Sequence, residues 1–339
     1  MITLSFCRRG VGRIVTLKEI AAEAGVSVIT VSRVVNGSDK VKPRTRGKIE
    51  EAMKKLGYTP NPAAKALVSG RLGTADIYIP QGIDLSTPFF MQFIAGVSEA
   101  LSSRMYSFLI LRSREVEHAC DGYIATGLLK DEIEEMYRYA ASRGRPLILF
   151  GHTDIPELDW IDTDNFAGAK EMTGYLLRQG HTKIMMINST EEKDYAVDRL
   201  AGFREAILER EMAYDDQMVL YAENSVQGGY DAAKSILKGQ RLPTAVFCAS
   251  DTLALGVIRA VTETGLRVPQ QLSVAGFDGL GHHLLSNPRI TTVRQPVFEI
   301  GRMLGETLLS RIDGSKKSIR RLVEPELIIE ASVTSPDDE

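Results

Sequence analysis

The stretch 16–27, TLKEIAAEAGVS, decides how the first part of this chain folds. Thr16 and Glu19 have the spacing of a capping box, in which each side chain bonds the other residue's main-chain N–H at a helix start. Gly25 is placed to end that helix, because glycine adopts the left-handed conformation at little cost. Between them, four small or apolar residues share one helical face: Leu17, Ile20, Ala21 and Ala24. The stretch therefore predicts a short amphipathic helix followed by a tight turn.

A second helix is predicted directly after the turn, capped by Ser27 and running through Val35. Val31 and Val34 lie on the face that can bury against the first helix, and small Ala21 allows the two helices to cross closely. A short helix, a glycine turn and a second helix form the helix-turn-helix layout. In DNA-binding proteins of this layout, the second helix enters the major groove.

The start of the second helix supplies candidate DNA contacts. Arg33 can bond O6 and N7 of guanine, and Val28 and Ile29 suit thymine methyl groups. The alternative is that Val28 and Ile29 belong to a local core. Short polar side chains that can reach phosphates follow the same segment: Thr16, Ser27, Thr30, Ser32 and Asn36.

Charge is distributed unevenly along the chain. Residues 1–71 contain 14 Lys and Arg against 5 Asp and Glu, and the remainder contains 27 against 39, so a balance of +9 precedes one of −12. A basic segment on an acidic body indicates a module that binds polyanions, although it can also be a solvated basic tail. A third helix, predicted from about Pro43 to Leu56, adds candidate phosphate contacts: Lys42, Arg44, Arg46 and Lys48.

The segment 15–71 resembles the lac/gal repressor family of bacterial regulators. The resemblance rests on residues 16–17, 21, 24–27, 30–36, 57–58 and 60–61. It implies a DNA-binding domain over 15–60, with base contacts from Val28, Ile29 and Arg33, and a hinge helix over 61–71. Leu67 matches the hinge residue that wedges into the minor groove, which requires a two-fold pair of hinge helices. A homodimer on a palindromic double-stranded DNA operator is therefore expected, with residues 1–14 as a disordered basic arm or as a start-site error before Val15.

Residues 72–334 alternate short apolar runs with amphipathic stretches, which is typical of parallel α/β sheets. Strands are expected at 75–80, 108–111, 122–125, 146–150, 183–188, 245–249 and 272–277, and 335–339 form a tail. This part also resembles the family, through residues 87–90, 178–184, 199–203, 249–256, 274–278, 288–293, 295–296 and 324–327. The resemblance implies the fold of periplasmic sugar-binding proteins, with two doubly wound subdomains and an effector, a sugar or sugar derivative, in the cleft between them.

Ligands of open α/β sheets bind at the carboxyl ends of strands, and several candidate effector contacts stand there: Phe89, Phe90, Asp164, Arg199, Ser250, Asp251 and Asp278. By resemblance Arg199 and Asp278 are the leading pair, one donating a planar fork and the other accepting hydroxyl hydrogen bonds. The alternatives are a helix cap or surface ion pair for these two, helix caps for Asp164, Ser250 and Asp251, and core positions for Phe89 and Phe90.

One connection departs from the family pattern. The strands at 108–111 and 122–125 should be parallel neighbours joined by a helix, yet only about ten residues, 112–121, join them. An altered first half of the cleft is expected, and with it an alternative function: a DNA-binding regulator that has lost its effector response.

Other function classes find less support. The His and Cys residues lack the convergent spacing of a metal site, and no catalytic motif or cofactor loop is present, so a sugar-processing enzyme is the weakest alternative. No run of about 18 apolar residues predicts a membrane span, and no secretory leader pattern is found. We expect a cytoplasmic regulator that represses transcription, as the resemblance implies, without catalytic residues, metal or cofactor.

Overall fold

The computed structural model of the chain describes residues 15–35, 40–58, 71–115, 118–191, 193–239 and 242–336. The chain divides into two compact units, Met1–Leu72 and Gly73–Glu339, and each is described by itself. The predicted hinge segment 61–71 lies outside the described residues except for Arg71, as do the extension 1–14 and most of the tail.

The first unit contains the three predicted helices: α1 (Leu17–Ala24), α2 (Val28–Val35) and α3 (Pro43–Leu56). The capping box forms, since the main-chain N–H of Thr16 donates to Glu19 Oε2 at 2.8 Å and the N–H of Glu19 donates to Thr16 Oγ1 at 3.4 Å. Gly25 ends α1 in the left-handed conformation with a φ of 67°. The helix-turn-helix prediction is confirmed.

A small core holds the three helices together. Ile20, Val31 and Ile49, one from each helix, are fully buried, and Ala21 is buried in the same cluster. Burying an Ile or Val side chain stabilises a fold by about 1.5–3 kcal/mol. Val31 packs α2 into this core, so the opposite face of the helix is exposed to solvent.

The second unit contains a six-stranded and a four-stranded parallel sheet. The six-stranded sheet has the order β11-β5-β4-β3-β1-β2, with β1 (Thr74–Tyr78), β2 (Ser107–Leu111), β3 (Tyr123–Thr126), β4 (Leu147–Phe150), β5 (Asp159–Thr163) and β11 (Arg320–Val323). The four-stranded sheet has the order β7-β6-β8-β9, with β6 (Ile184–Ser189), β7 (Val219–Ala222), β8 (Ala245–Cys248) and β9 (Ser273–Ala275). β10 (Thr292–Arg294) and β12 (Glu326–Ile328) form an antiparallel pair. The expected strands and the α/β class are confirmed.

Helices separate most of the successive strands along the chain: α4 (Pro88–Ser102), α5 (Lys130–Ser142), α6 (Asn165–Arg178), α7 (Asp194–Leu208), α8 (Val226–Leu237), α9 (Asp251–Glu263) and α10 (Val297–Ile312). The six-stranded sheet with α4, α5 and α10 forms the first subdomain; the four-stranded sheet with α6 to α9 forms the second. No helix among the described residues is long and apolar enough to cross a membrane.

The connection between β2 and β3 corrects one prediction. The two strands are not neighbours, because β1 lies between them and pairs in parallel with both. The described residues of the connection, 112–115 and 118–122, contain no helix. The sheet nevertheless keeps its register, since Asp76 of β1 stands opposite Leu109 on one side and Tyr123 on the other. β1 therefore joins the two strands in one sheet, and the described part of their connection contributes no helix.

Candidate functional site

The outer face of α2 presents two apolar side chains and an arginine. Val28 is 39% exposed and Ile29 is 66% exposed, and Arg33 is also exposed. Val31 and Val34 of the same helix are buried. The alternative prediction placed Val28 and Ile29 in a local core, but the structure shows them exposed. Their exposure leaves them available to a partner.

The short polar residues of this unit are partly engaged in helix caps. Ser27 Oγ accepts the main-chain N–H of Thr30 at 3.2 Å and lies 2.8 Å from Thr30 Oγ1. The Thr16 hydroxyl donates to Glu19 Oε2 at 3.0 Å. Ser32 is half-buried. Asn36 and Leu67 lie outside the described residues.

The second unit contains a cleft between its two subdomains, with a cavity of about 730 Å³. Its lining comes from both subdomains, from Phe89 and Phe150 on one side to Arg199 and Asp278 on the other. The volume lies within the range of about 300–1,000 Å³ that is typical of small-molecule sites. The carboxyl ends of strands from both sheets border this cleft, as expected for open α/β folds.

Arg199 is the buried cation of the cleft. It stands in α7 with 4% exposure, and its guanidinium stacks 3.7 Å from the Phe277 ring centroid. Nε donates to Asn165 Oδ1 at 2.9 Å, and Nη1 donates to the Ala249 carbonyl at 2.5 Å. Burial lowers the pKa of Arg199, and Asp278 opposes part of that change. The side chain is thus fixed in place before any ligand arrives.

Asp278 faces Arg199 across 3.5 Å, and its side chain remains 27% exposed. Its backbone has a φ of 127°, in the region that favours glycine. Hydrogen bonds hold it there, because the Asp278 N–H donates to the Val293 carbonyl and the Gln295 N–H donates to the Asp278 carbonyl, both at 2.9 Å. Burial raises the pKa of the Asp278 carboxyl, and Arg199 opposes part of the rise.

Asp251 and Ser250, at the start of α9, form hydrogen bonds to neighbouring protein groups. Asp251 Oδ1 accepts the Thr292 hydroxyl at 2.6 Å, and Oδ2 accepts the Gly279 N–H at 2.9 Å. Ser250 caps the helix through the Leu253 N–H and does not line the cleft. Asp251 does line it, but both of its oxygens already have protein partners.

Asp164 is a correction. Its carboxylate accepts the Ala167 N–H at 2.8 Å as the cap of α6, and the residue does not line the cleft. The neighbours Asp162 and Asn165 line it instead. β5 ends at Thr163, so Asp164 lies beyond the strand, where its side chain caps the following helix instead of entering the cleft. The helix-cap alternative therefore describes Asp164.

The two phenylalanines line the cleft while also belonging to the core of the first subdomain. Phe90 is almost fully buried, and Phe89 packs between Phe90 and Phe150 with ring centroids 5.1 and 5.2 Å away. Phe89 is the more accessible of the two. It forms an aromatic wall opposite Arg199.

Several polar residues of the cleft were not predicted from the sequence, and two of them, Tyr195 and Gln295, contact the leading pair directly. Tyr195 lines the cleft, and the Arg199 guanidinium lies 4.8 Å from its ring centroid; the spacing of four residues on one helix could have revealed it. Burial raises the pKa of Tyr195 to about 12. Gln295 donates to Asp278 Oδ1 at 2.8 Å and accepts the Thr163 hydroxyl at 3.1 Å. Gln295 belongs to one of the segments through which the chain resembles the family, but its two partners are distant in sequence and could not be predicted from a local pattern.

A histidine with two aspartate neighbours lies beside the cleft. His152 Nδ1, following β4, is 3.1 Å from Asp162 Oδ2 and 3.8 Å from Asp198 Oδ2 of α7. The bond to Asp162 raises the pKa of His152 to about 9, while burial raises the pKa of Asp198 to about 6. The pair of His152 and Asp198 joins the two subdomains. Among the described residues, no group of three or more His, Cys, Asp or Glu is arranged to hold a metal ion.

Both units match known families. Residues 16–61 match the bacterial regulatory proteins of the lacI family, and residues 173–333 match the periplasmic binding protein-like domain. The chain is 33% identical over 338 residues to the HTH-type transcriptional regulator CelR of Thermobifida fusca, covering 94% of this chain and 98% of the relative.

Two solved structures extend the comparison. The CelR–cellobiose complex is similar with a TM-score of 0.72 and 31% identity, covering 94% of this chain and 99% of that one. The lac repressor dimer bound to operator and the anti-inducer ONPF has a TM-score of 0.75 and 25% identity, covering 95% and 100%. These similarities span both units. The chain belongs to the lacI family of bacterial regulatory proteins and is a DNA-binding transcriptional regulator, not an enzyme.

Proposed function

We propose that this chain is a repressor that binds a palindromic operator as a homodimer and is controlled by a sugar-like effector in the cleft of its second unit. The observation that carries the effector site is the backbone of Asp278, with a φ of 127°. Strained backbone of this kind costs about 1–3 kcal/mol and concentrates at functional sites. The strain aims the Asp278 carboxylate into the cleft opposite Arg199.

Arg199 and Asp278 form a pair suited to sugar hydroxyls. The carboxylate can accept hydrogen bonds from two hydroxyl groups, and the guanidinium can donate to hydroxyl or ring oxygens. Arg199 Nη2 has no hydrogen-bond partner among the described residues, so its donors remain for a ligand. The similar CelR structure contains cellobiose, which supports a sugar as the effector class.

Gln295 links this pair to the segments that connect the subdomains. It bonds Asp278 in the second subdomain and Thr163 at the end of β5 in the first. A ligand held by Asp278 and Arg199 therefore acts on groups whose positions depend on how the subdomains are arranged. Control of DNA binding requires the effector to prefer one such arrangement over the other.

The operator contacts follow from α2. Arg33, Val28 and Ile29 are proposed to read base edges, and Lys42 and Arg44 at the start of α3 to contact phosphates. The similar lac repressor is a dimer bound to its operator, which supports a homodimer and a palindromic site. Wedging of Leu67 into the minor groove stays a prediction.

The second candidate function is a regulator without effector response. It is favoured by the β2–β3 connection, whose described residues contain no helix. Against it, Arg112 at the start of that connection donates through Nη2 to the carbonyls of Pro80, Gln81 and Ile83 at 2.9, 2.6 and 2.7 Å. These bonds hold the loop from which Ile83 lines the cleft.

A thermal-shift screen of the full chain against uncharged sugars, sugar phosphates and purines separates the two functions. We expect at least one compound to raise the melting temperature. At a hundredfold excess over Kd, such a ligand stabilises the folded protein by about 2.7 kcal/mol. Asp278→Ala should abolish this shift. Protein that binds palindromic DNA but responds to no compound would support the second function instead.

A further inference from the structure

The two walls of the cleft differ in character. The wall from the first subdomain is largely apolar, with Ile83, Phe89, Leu128 and Phe150, and its lining residues include two charged side chains, Asp84 and Asp162. The wall from the second subdomain is polar and charged. A ligand that fits both must therefore have an apolar face and a hydrogen-bonding face, which is the character of a pyranose ring.

The charges of the cleft are predominantly negative. Besides Asp84, the lining residues include six carboxylates: Asp162, Glu191, Asp194, Glu223, Asp251 and Asp278. Two lysine or arginine side chains stand against these seven, and each already has a carboxylate partner. Lys193 Nζ lies 2.5 Å from Glu191 Oε2, and Arg199 Nη1 lies 3.5 Å from Asp278 Oδ1.

We infer that the effector is an uncharged oligosaccharide of at least two rings, and that the cleft rejects phosphorylated and acidic sugars. The inference rests on the proposed function and narrows its ligand. Ring C–H groups would lie on the Phe89 wall, and hydroxyls would donate to carboxylates of the opposite wall. The cavity of about 730 Å³ exceeds what one pyranose ring fills.

The electrostatic reason is desolvation. Moving a phosphate from water into a cleft is costly unless cations and hydrogen bonds replace its hydration. The two described cations of the lining are already paired, and the carboxylates repel one another: Asp278 is a secondary cause, after burial, of the raised pKa of Asp251. An added anion would increase this repulsion, whereas a hydroxyl group supplies donors to the same oxygens.

The test compares matched pairs of ligands by isothermal titration calorimetry on the full chain. Cellobiose, maltose, trehalose and sucrose are each titrated beside their 6-phosphates, with glucose and glucose 6-phosphate as a single-ring pair. We expect at least one neutral disaccharide to bind at least tenfold more tightly than both its 6-phosphate and glucose.

Two variants connect the selectivity to the named charges. Asp194→Asn combined with Glu223→Gln removes two negative charges from the wall without touching Arg199 or Asp278. It should reduce the preference for the neutral disaccharide over its phosphate by about tenfold, equivalent to about 1.4 kcal/mol. The control, Glu209→Gln, removes a carboxylate that pairs with Lys170 outside the cleft lining and should leave the ratio unchanged.

The outcomes separate the inference from the function on which it rests. A 6-phosphate that binds as tightly as its neutral partner, or glucose binding as tightly as the disaccharides, overturns the inference while leaving a sugar-controlled regulator. An unchanged ratio in the double variant also overturns it. If no sugar of either kind binds protein that still binds DNA, the proposed effector control fails and the inference fails with it.

Discussion

Gln295 and Asp278 are joined by two hydrogen bonds, one from the Gln295 side chain to the Asp278 carboxylate at 2.8 Å and one between their main chains at 2.9 Å. Gln295 follows β10 on the segment that leads into the first subdomain, whereas Asp278 follows β9 in the second. The ligand-facing carboxylate is therefore fastened to a segment connecting the subdomains. Through these bonds, ligand binding at Asp278 is linked to the arrangement of the two subdomains.

Gln295→Leu should break that connection. The substitution leaves Asp278 Oδ1 and the Thr163 hydroxyl without their Gln295 partner, and an unsatisfied buried polar group costs about 1–3 kcal/mol. Urea unfolding should show a loss of this size, together with weaker effector binding. The neighbouring Arg294→Gln removes an exposed ion pair with Glu326, and its unfolding free energy should change by less than about 1 kcal/mol. Equal effects of the two variants would contradict the assigned role of Gln295.

The strained backbone at Asp278 predicts that a glycine variant is more stable than an alanine variant, the reverse of the usual order. Asp278→Ala and Asp278→Gly remove the same carboxylate, but only glycine adopts a φ of 127° without steric cost. The glycine variant should therefore be more stable than the alanine variant by about 1 kcal/mol. Both should fail to bind effector. An alanine variant more stable than the glycine variant in thermal or urea unfolding would show that the backbone is not strained.

Arg33 and Arg44 should differ in how they affect operator binding. Arg33→Ala should weaken binding by about 1–3 kcal/mol and relax the preference at one base position. Arg44→Ala should weaken binding to all sequences alike and reduce the salt dependence by about one phosphate contact. Binding assays on duplexes with every base varied in turn, at several salt concentrations, distinguish the two. If the Arg33 variant keeps the same preference at every base position, Arg33 does not contact a base.

The free energy of unfolding should fall in alkaline solution, because His152 loses its proton there. The bond to Asp162 raises the pKa of folded His152 to about 9, above the unfolded value of about 6.5. Its contribution is therefore fully present below about pH 6.5 and is lost as the pH rises through 9. Burial raises the pKa of Asp198 to about 6, at the lower end of this window, and also raises the pKa of Asp162, so the contribution of His152 is measured against a variant of His152 itself.

His152→Gln provides the control for this pH dependence, because it keeps a side-chain N–H donor without the charge. The difference in unfolding free energy between the wild type and this variant should shrink by about 1–2 kcal/mol between pH 6.5 and pH 9.5. A difference that is constant across the window would mean that His152 is uncharged in the folded protein.

Local patterns predicted the first unit well because its structure depends on neighbours in sequence. Thr16, Glu19 and Gly25 define α1 through contacts within a few residues, and the burial of Val31 beside the exposure of Ile29 follows from helical periodicity. The apolar runs likewise predicted the strands of the second unit. Their pairing was harder, since the position of β1 between β2 and β3 depends on contacts across the whole sheet.

The cleft could be predicted only in part for the same reason. Arg199 and Asp278 came from the resemblance, and the structure brings them to 3.5 Å. Asp162 lines the cleft from β5, whereas Asp164, two residues further on, caps α6, and whether the oxygens of Asp251 are free depends on Thr292 and Gly279. These partners are set by tertiary packing, which the local pattern does not contain.

We propose that a ligand held by Asp278 and Arg199 controls operator affinity. The most direct test is fluorescence anisotropy of the full chain on a palindromic duplex selected in vitro, with and without neutral disaccharides, for the wild type and Asp278→Asn. We predict that one disaccharide changes the wild-type operator affinity by about 5- to 150-fold, that Asp278→Asn binds the operator equally well without sugar, and that this variant shows no response. A wild-type affinity that no sugar alters, or a full response in Asp278→Asn, would contradict the account.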